Sequence, residues 1–315
     1  MNISVIGAGA LGCALGARLA EAGHEVALIN RNHAHVDAIN QRGLRIREDG
    51  VERVVRIHAA TDCSAAGAPA DLVLILVKSF HTREAIEMAR PVVGERTIVL
   101  SLQNGLGHEE ILGEVTGPEK VIAGKTYAGG VLTGPGQIIA GLKGRLTYIG
   151  ELDGSNSERV QRLAVAFQQA GLATIVSDNI VGTMWDKLLV NVATGALSAI
   201  TRLPYGALYG VPRIEECAIA AVTEAMAVAR TSGIQLSITN PRDAWMKASA
   251  GLPADFKASM LQSLERGSIT EVDFIHGAVV RRGAMVNVPT PVNSTLLACV
   301  KGIEAGLPRR DSGIA

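Results

Sequence analysis

Met1-Asn-Ile-Ser-Val-Ile-Gly7-Ala-Gly9-Ala-Leu-Gly12 is the stretch whose reading decides the fold. An apolar run, Ile3 to Ile6, leads straight into three glycines spaced G-x-G-x-x-G, and a helix-forming segment follows. In that context the first glycine permits a tight turn, the second lets a backbone approach a pyrophosphate, and the third allows close packing of helix on strand. Unpaired N–H groups at the start of the helix attract phosphate. Gly7, Gly9, Ala10, Leu11 and Gly12 are therefore candidate cofactor-binding residues. Ala10 to Ala22 is rich in Ala and Leu and ends at Gly23, a natural C-cap, and Val26 to Ile29 reads as the next strand. Together these segments form a βαβ unit.

Further strands are expected at Leu72 to Val77 and Ile98 to Leu100, and such continuous apolar runs indicate a parallel sheet covered on both faces. Gly43 to Ile57 and Ala123 to Ile149 read as hairpins appended to that core. Ser157 to Ala170 reads as a Ser-capped helix, and Ala173 to Val176 as a short strand. Beyond Asn179 the strand signal disappears. Helix-length stretches follow at Ile180 to Ala193, Ile214 to Arg230, Pro241 to Ala248, Val272 to Ala284 and Pro291 to Ala305, with Asn240-Pro241 and Thr290-Pro291 as cap pairs. The expected architecture is α/β: an N-terminal Rossmann-type doubly wound parallel sheet, residues 1–178, and an all-helical domain for substrate and dimerisation, residues 179–315.

A chain of 315 residues accommodates two such domains, and 48% hydrophobic with 19% charged residues is a globular composition rather than a disordered one. Thirty basic and thirty acidic residues cancel, so no global field favours nucleic acid or an anionic membrane. Cys13, Cys63, Cys217 and Cys299 form no metal-ligand spacing, and four free thiols point to a reducing compartment. No basic segment precedes an apolar one at the N-terminus, and the Leu72 to Val77 run is far too short to span a bilayer. A soluble, cytoplasmic protein is expected.

The end of the second strand distinguishes cofactors. An NAD site places an acidic residue there to accept from the ribose 2′-OH, whereas this chain has Asn30-Arg31. A guanidinium can pair with a 2′-phosphate, which favours NADP over NAD. The alternative is that Arg31 is a solvated loop residue. Lys78 and Gln103-Asn104-Gly105 follow two other strands at the sheet edge where ligands bind, although Asn-Gly is also ordinary turn chemistry.

In the helical half, Lys187 and Asn191 are four residues apart in an apolar helix and so share one face. A desolvated lysine can serve as a general acid near neutral pH, and the competing reading is a snorkelling side chain at a helix edge. Downstream, Ser259-Met-Leu-Gln262 and Thr270-Glu271-Val-Asp273 supply a hydroxyl and a carboxylate. Glu271 could equally serve its helix dipole. Seven scattered histidines show no carboxylate pairing that would make one an acid/base, and no cluster has metal-ligand spacing.

At these residues the sequence resembles the ketopantoate reductase family (2-dehydropantoate 2-reductase) over nearly its whole length. The early glycine turn, the Lys78 loop, Gln103-Asn104-Gly105, Lys187 with Asn191, and the two downstream blocks occur in the family's order and spacing. The resemblance implies NADPH-dependent reduction of a 2-keto acid, ketopantoate to pantoate in pantothenate biosynthesis. It further implies that Lys187 donates the proton and that Glu271 lies at the nicotinamide end. Asn104, Lys187, Asn191 and Ser259 are then substrate-binding, and Arg31, Lys78, Asn104, Ala128 and Glu271 contact NADP. Three positions depart from the family pattern: Gly195 and Tyr205 stand where Asn is usual, and Ser263 where Asp is expected. Those Asn side chains suit the hydroxyl end of ketopantoate. Competing readings are a β-hydroxyacid dehydrogenase or other 2-keto acid reductase of the same superfamily, and a non-catalytic NADP sensor. The Ala-rich helix Ile214 to Arg230 hints at a homodimer.

Overall fold

The computed structural model describes residues 1–63 and 69–308. The chain divides into two compact units, one of residues 1–103 and 107–181, the other of 104–106 together with the chain from Gly182 onward.

The first unit runs β1 (Asn2–Ile6), α1 (Ala10–Glu21), β2 (Glu25–Ile29), α2 (His33–Arg42), β3 (Leu44–Glu48), β4 (Val51–Val55), β5 (His58–Ala60), β6 (Ala70–Ile75), α3 (Thr82–Met88), β7 (Val93–Ser101), α4 (His108–Thr116), β8 (Val121–Thr126), β9 (Gly129–Gly134), β10 (Gln137–Gly141), β11 (Thr147–Gly150), α5 (Glu158–Gln169) and β12 (Thr174–Val176). Eight strands form the main sheet in the order β12-β11-β8-β7-β6-β1-β2-β5, parallel except where β11 runs antiparallel to β8. The apolar runs are continuous because successive side chains feed two cores. Ile3, Val5, Leu72 and Leu74 pack in one cluster with Leu15 and Leu19 of α1, while Ile6, Val73, Ile75 and Val99 pack in another with Ile86 and Leu112. Each such side chain contributes about 1.5–3 kcal/mol on burial.

Chain order reverses between β1 and β6, which pair directly, so the crevice at their C-terminal ends is the switch point where a doubly wound sheet binds ligands. The appended strands differ in detail from the expected hairpins. β3–β4 and β9–β10 are antiparallel pairs, but β3 and β10 join them in parallel into a separate four-stranded sheet. β8 and β11 belong instead to the main sheet, where the buried Val121, Ile122 and Ile149 extend its core.

The second unit is helical throughout its described residues: α6 (Ile180–Thr201, which begins in the first unit), α7 (Tyr205–Leu208), α8 (Pro212–Thr231), α9 (Pro241–Ser249), α10 (Ser259–Glu265), α11 (Val272–Met285) and α12 (Pro291–Ala305). α6 runs eight residues past the expected Ala193 because Ala196, Leu197 and Ala199 stay buried and no breaker intervenes. Asn240 caps α9 as expected, its side chain accepting from Arg242 N at 2.9 Å. Thr290 does not cap α12. Glu224 of α8 takes that role, its carboxylate accepting from Val292 N at 2.8 Å and Asn293 N at 3.0 Å. An anion with two oxygens satisfies two orphan donors and the helix dipole at once, which a single hydroxyl cannot. Among the described residues no helix is long and apolar enough to cross a membrane.

Candidate active site

The glycine turn is built as the spacing requires. Gly7 has φ +95°, and a Cβ there would lie 2.5 Å from Val77 N, so only glycine fits against the end of β6. A Cβ on Gly12 would lie 2.4 Å from Gly7 O, which fixes how closely α1 approaches the turn. A Cβ on Gly9 would meet no atom of the described residues within 4 Å. Gly9 is also the N-cap of α1 and offers no side-chain acceptor, and the first bond along the helix is Cys13 N to Gly9 O at 2.9 Å. The N–H groups of Ala10, Leu11 and Gly12 thus precede the helical ladder, beside open space. An anionic pyrophosphate fits such a cradle.

Around the turn, Gly7 N and Ala8 N both donate to Ile29 O, and Asn30 Nδ2 donates to Ala8 O at 2.8 Å. Asn30 is thus a brace between the glycine turn and the end of β2, a role its sequence position did not disclose. Arg31 is exposed and pairs with Glu84 at 2.8 Å, while the second oxygen of Glu84 lies 3.2 Å from His81 Nδ1. An ion pair with both side chains about 60% exposed is worth little, so the guanidinium can exchange partners readily. Lys78 is exposed three residues beyond β6, which ends at Ile75 rather than at the expected Val77. Gln103 is buried and staples the loops together: Nε2 donates to Val77 O at 2.8 Å and to Thr82 Oγ1 at 2.9 Å, while Ser101 Oγ donates to Oε1 at 3.0 Å. Ala128 is half-buried, and its N donates to Thr126 Oγ1 at 3.0 Å where β8 leads into β9. A Cβ on Gly130 of β9 would reach the Ala10 Cβ at 3.3 Å, so this strand flanks the start of α1.

In the helical unit, Lys187 and Asn191 are half-buried, whereas Met184, Trp185, Leu188, Leu189 and Val192 between and around them are buried. Asp186, on a different face, accepts from Ser237 N, Ser237 Oγ and Ile238 N and so anchors the loop before α9. One turn beyond Asn191, the Thr194 hydroxyl lies 3.0 Å from Tyr205 OH. Gly195 faces α10, where a Cβ would meet Met260 Cε at 3.2 Å. Tyr205 is buried, with its ring 5.2 Å from Phe256 centroid to centroid, and burial raises its phenol pKa. Ser259 begins α10 and is exposed.

Asn104, Gly105 and Leu106 belong with this unit. Leu106 N donates to Phe274 O at 2.9 Å, and Gly105, at φ +96°, approaches so closely that a Cβ would lie 2.4 Å from the same oxygen. The segment carrying Asn104 is thereby brought to the first turn of α11, three residues from Glu271. Glu271 is only 8% exposed and occupies the N-cap position of α11, yet its side chain does not cap the helix. Val272 N donates instead to Thr270 Oγ1 at 3.1 Å. Glu271 thus stands at the positive end of α11, where the helix dipole favours its charge, without capping the helix. Among the described residues no group of three or more His, Cys, Asp or Glu could hold a metal ion.

A doubly wound sheet with a glycine turn open toward an uncapped helix, followed by a helical unit bearing half-buried polar side chains in apolar surroundings, defines a Rossmann-type oxidoreductase. The family model described as ketopantoate reductase PanE/ApbA matches residues 3–154, and its C-terminal counterpart matches residues 179–304. The 2-dehydropantoate 2-reductase of Pyrococcus horikoshii is 36% identical over 306 residues, covering 97% of this chain and 98% of that protein. The Halobacterium salinarum enzyme of the same name is also 36% identical, over 96% of this chain and 98% of its own length. Among solved structures, the PanE/ApbA family ketopantoate reductase from Ralstonia eutropha superposes with TM-score 0.89 at 36% identity, over 98% and 99% of the two chains. A D-mandelate dehydrogenase solved with NADH and anilino(oxo)acetate superposes with TM-score 0.90 at 26% identity, with the same coverage. The chain belongs to the ketopantoate reductase family and is an oxidoreductase acting on a CH–OH group.

Proposed function

We propose that the protein reduces ketopantoate to pantoate with NADPH, the reductive step of pantothenate biosynthesis, with Lys187 as proton donor. The observation that carries this reading is that Lys187 and Asn191, one turn apart on α6, stay half-exposed beside the buried Met184, Leu188 and Val192. Gly7, Gly9, Ala10, Leu11 and Gly12 would hold the dinucleotide's pyrophosphate, and Arg31, released from Glu84, its 2′-phosphate. Lys78, Asn104, Ala128 and Glu271 would complete the cofactor contacts. When bound, NADPH supplies a hydride to the keto carbon. Lys187, as an ammonium, stabilises the negative charge that develops on the carbonyl oxygen and then yields its proton to that atom. Because Lys187 is half-exposed, solvent can return the proton after product leaves. Asn104, Asn191 and Ser259 offer N–H and O–H donors to the substrate's oxygens, and the Glu271 carboxylate supports the lysine's positive charge. The free thiols of all four cysteines fit a reducing, cytoplasmic setting, and the helical unit is the proposed surface of a homodimer.

Replacing Lys187 by Ala tests the assignment. The kcat is expected to fall by about 10²- to 10⁴-fold, the usual worth of a positioned general acid, with NADPH affinity little changed. Near-native turnover in that variant removes Lys187 from the mechanism.

A second reading has its own support. The space one turn beyond Asn191 is taken by the Met260 thioether against Gly195, and the Tyr205 hydroxyl is engaged by Thr194, so no amide stands at either position. That reading is a 2-keto acid reductase of the same superfamily whose substrate lacks the hydroxyl.

A further inference from the structure

Glu271 owes its place to residues outside the proposed reaction. It sits between Thr270 and Val272, and the backbone on each side of it is fixed by the same hydroxyl and carboxylate. Thr270 is buried; its N donates to Glu304 Oε1 at 2.7 Å, and its Oγ1 donates to that same oxygen at 2.7 Å. With its one proton committed to Glu304, Thr270 Oγ1 has lone pairs left, and it accepts from Val272 N at 3.1 Å. Glu304 is buried on α12, thirty-four residues away in sequence. Its other oxygen lies 2.9 Å from Lys301 Nζ, and Lys301 also reaches Asp273 Oδ2 at 2.9 Å. Hydrogen bonds to both neighbours, the one to Asp273 foremost, raise the lysine's pKa. One turn of α12 therefore holds residues 270, 272 and 273, either directly or through Thr270.

We infer that Thr270 and Glu304 form a positioning relay that fixes the backbone of Glu271 and takes over the capping of its helix, so that the carboxylate is placed for the reaction rather than for the cap. This rests on the reading of Glu271 given above. Hydrogen bonds accepted by a buried carboxylate are strong and directional, and the arrangement supplies what a catalytic carboxylate at a helix start requires. Some other group must cap the helix, or the carboxylate would be drawn to the N–H groups of its own first turn. Thr270 supplies the cap, and Glu304 orients Thr270.

A double-mutant cycle in the NADPH-dependent reductase assay tests the relay. Thr270→Val removes the hydroxyl while conserving shape and is expected to lower kcat about tenfold, since displacement of a reacting group by a fraction of an ångström is costly. Thr270→Ser restores the hydroxyl and is expected to remain within about twofold of the native kcat. Glu304→Gln, which keeps the volume of the side chain but loses its charge, is expected to fall between them. In a Glu271→Gln background, Thr270→Val should add little further loss, because a residue acting through another has no effect once that other is gone. The same fold-loss from Thr270→Val in both backgrounds, accompanied only by a lowered melting temperature, overturns the relay and leaves Glu271 standing. Should Thr270→Val not fold, Glu304→Gln is carried through the same cycle with the same criterion. Native kcat in Glu271→Gln alone overturns the role of Glu271, and the relay with it.

Discussion

Gly7, Gly9 and Gly12 are three glycines of one motif with two distinct duties. Methyl groups on Gly7 or Gly12 collide with backbone at 2.5 and 2.4 Å, so those two glycines are required by the fold itself. Gly9 is required by none of the described residues, since its Cβ would meet none of their atoms within 4 Å. Gly9→Ala is therefore expected to fold with stability within about 0.5 kcal/mol of native and to bind NADPH about tenfold or more weakly. A thermal melt alongside a fluorescence titration measures both, and undiminished affinity would show that no phosphate approaches this turn. The motif was legible in the sequence because strand, turn and helix are contiguous. The pairing of Arg31 with Glu84 was not, because fifty-three residues separate them and only the packing of α3 beside the end of β2 brings them together.

Among the elements, α12 best separates what local signals determine from what packing determines. Thr290-Pro291 has the form of a cap and N1 pair, but the donors of α12 are met by Glu224 of α8, which also accepts from Asn293 Nδ2 at 2.8 Å. Glu224→Ala is expected to destabilise the protein by about 1–2 kcal/mol, the upper range for a lost cap, whereas Thr290→Ala should have a smaller effect. Urea unfolding of the two variants decides which residue is the cap. Asn240, whose partner is two residues away, was readable, and so was Ser157, which accepts from Val160 N. Thr270 was readable as a helix-start residue, but its dependence on Glu304 was not, since nothing in a threonine's neighbours specifies an acceptor on another helix. The same distinction applies to strands. The runs of β1 and β6 announce a doubly covered sheet, while the joining of two hairpins through β3 and β10 depends on contacts between segments some ninety residues apart in sequence.

At the scale of the whole molecule, stability at acid pH is set in part by one residue at the meeting of three helices. His276 of α11 is fully buried, with Nδ1 2.9 Å from Asn293 Oδ1 of α12, and Asn293 in turn bonds Ala221 O and Glu224 of α8. An Asn oxygen only accepts, so Nδ1 carries the proton, and Nε2 is buried with no hydrogen-bond partner among the described residues. Burial lowers the pKa from 6.5 to about 4, with the bond to Asn293 opposing. The folded state therefore binds the proton less readily than the unfolded chain. This contribution is complete above pH 6.5 and is lost as the pH falls from 6.5 toward 4, amounting to about 3 kcal/mol across that window. The neutral, buried His35, whose pKa is also lowered by burial, acts in the same direction. Urea unfolding at pH 7.5 and 4.5 is expected to show this loss, reduced in His276→Gln. An equal loss in the variant would assign it to other groups.

The domain-scale plan and the reaction class were legible because both follow from contiguous motifs; the substrate's far end was not. Gly195 and Tyr205 acquire meaning only through Met260 and Thr194, which the fold brings to them. The most direct test of the central claim is the initial rate of NADPH oxidation with ketopantoate, measured beside 2-ketoisovalerate, which lacks only the hydroxymethyl group, and repeated with NADH. With NADPH and ketopantoate, kcat/KM is expected to lie well above both alternatives. Equal or faster reduction of 2-ketoisovalerate, or equal use of NADH, would contradict it.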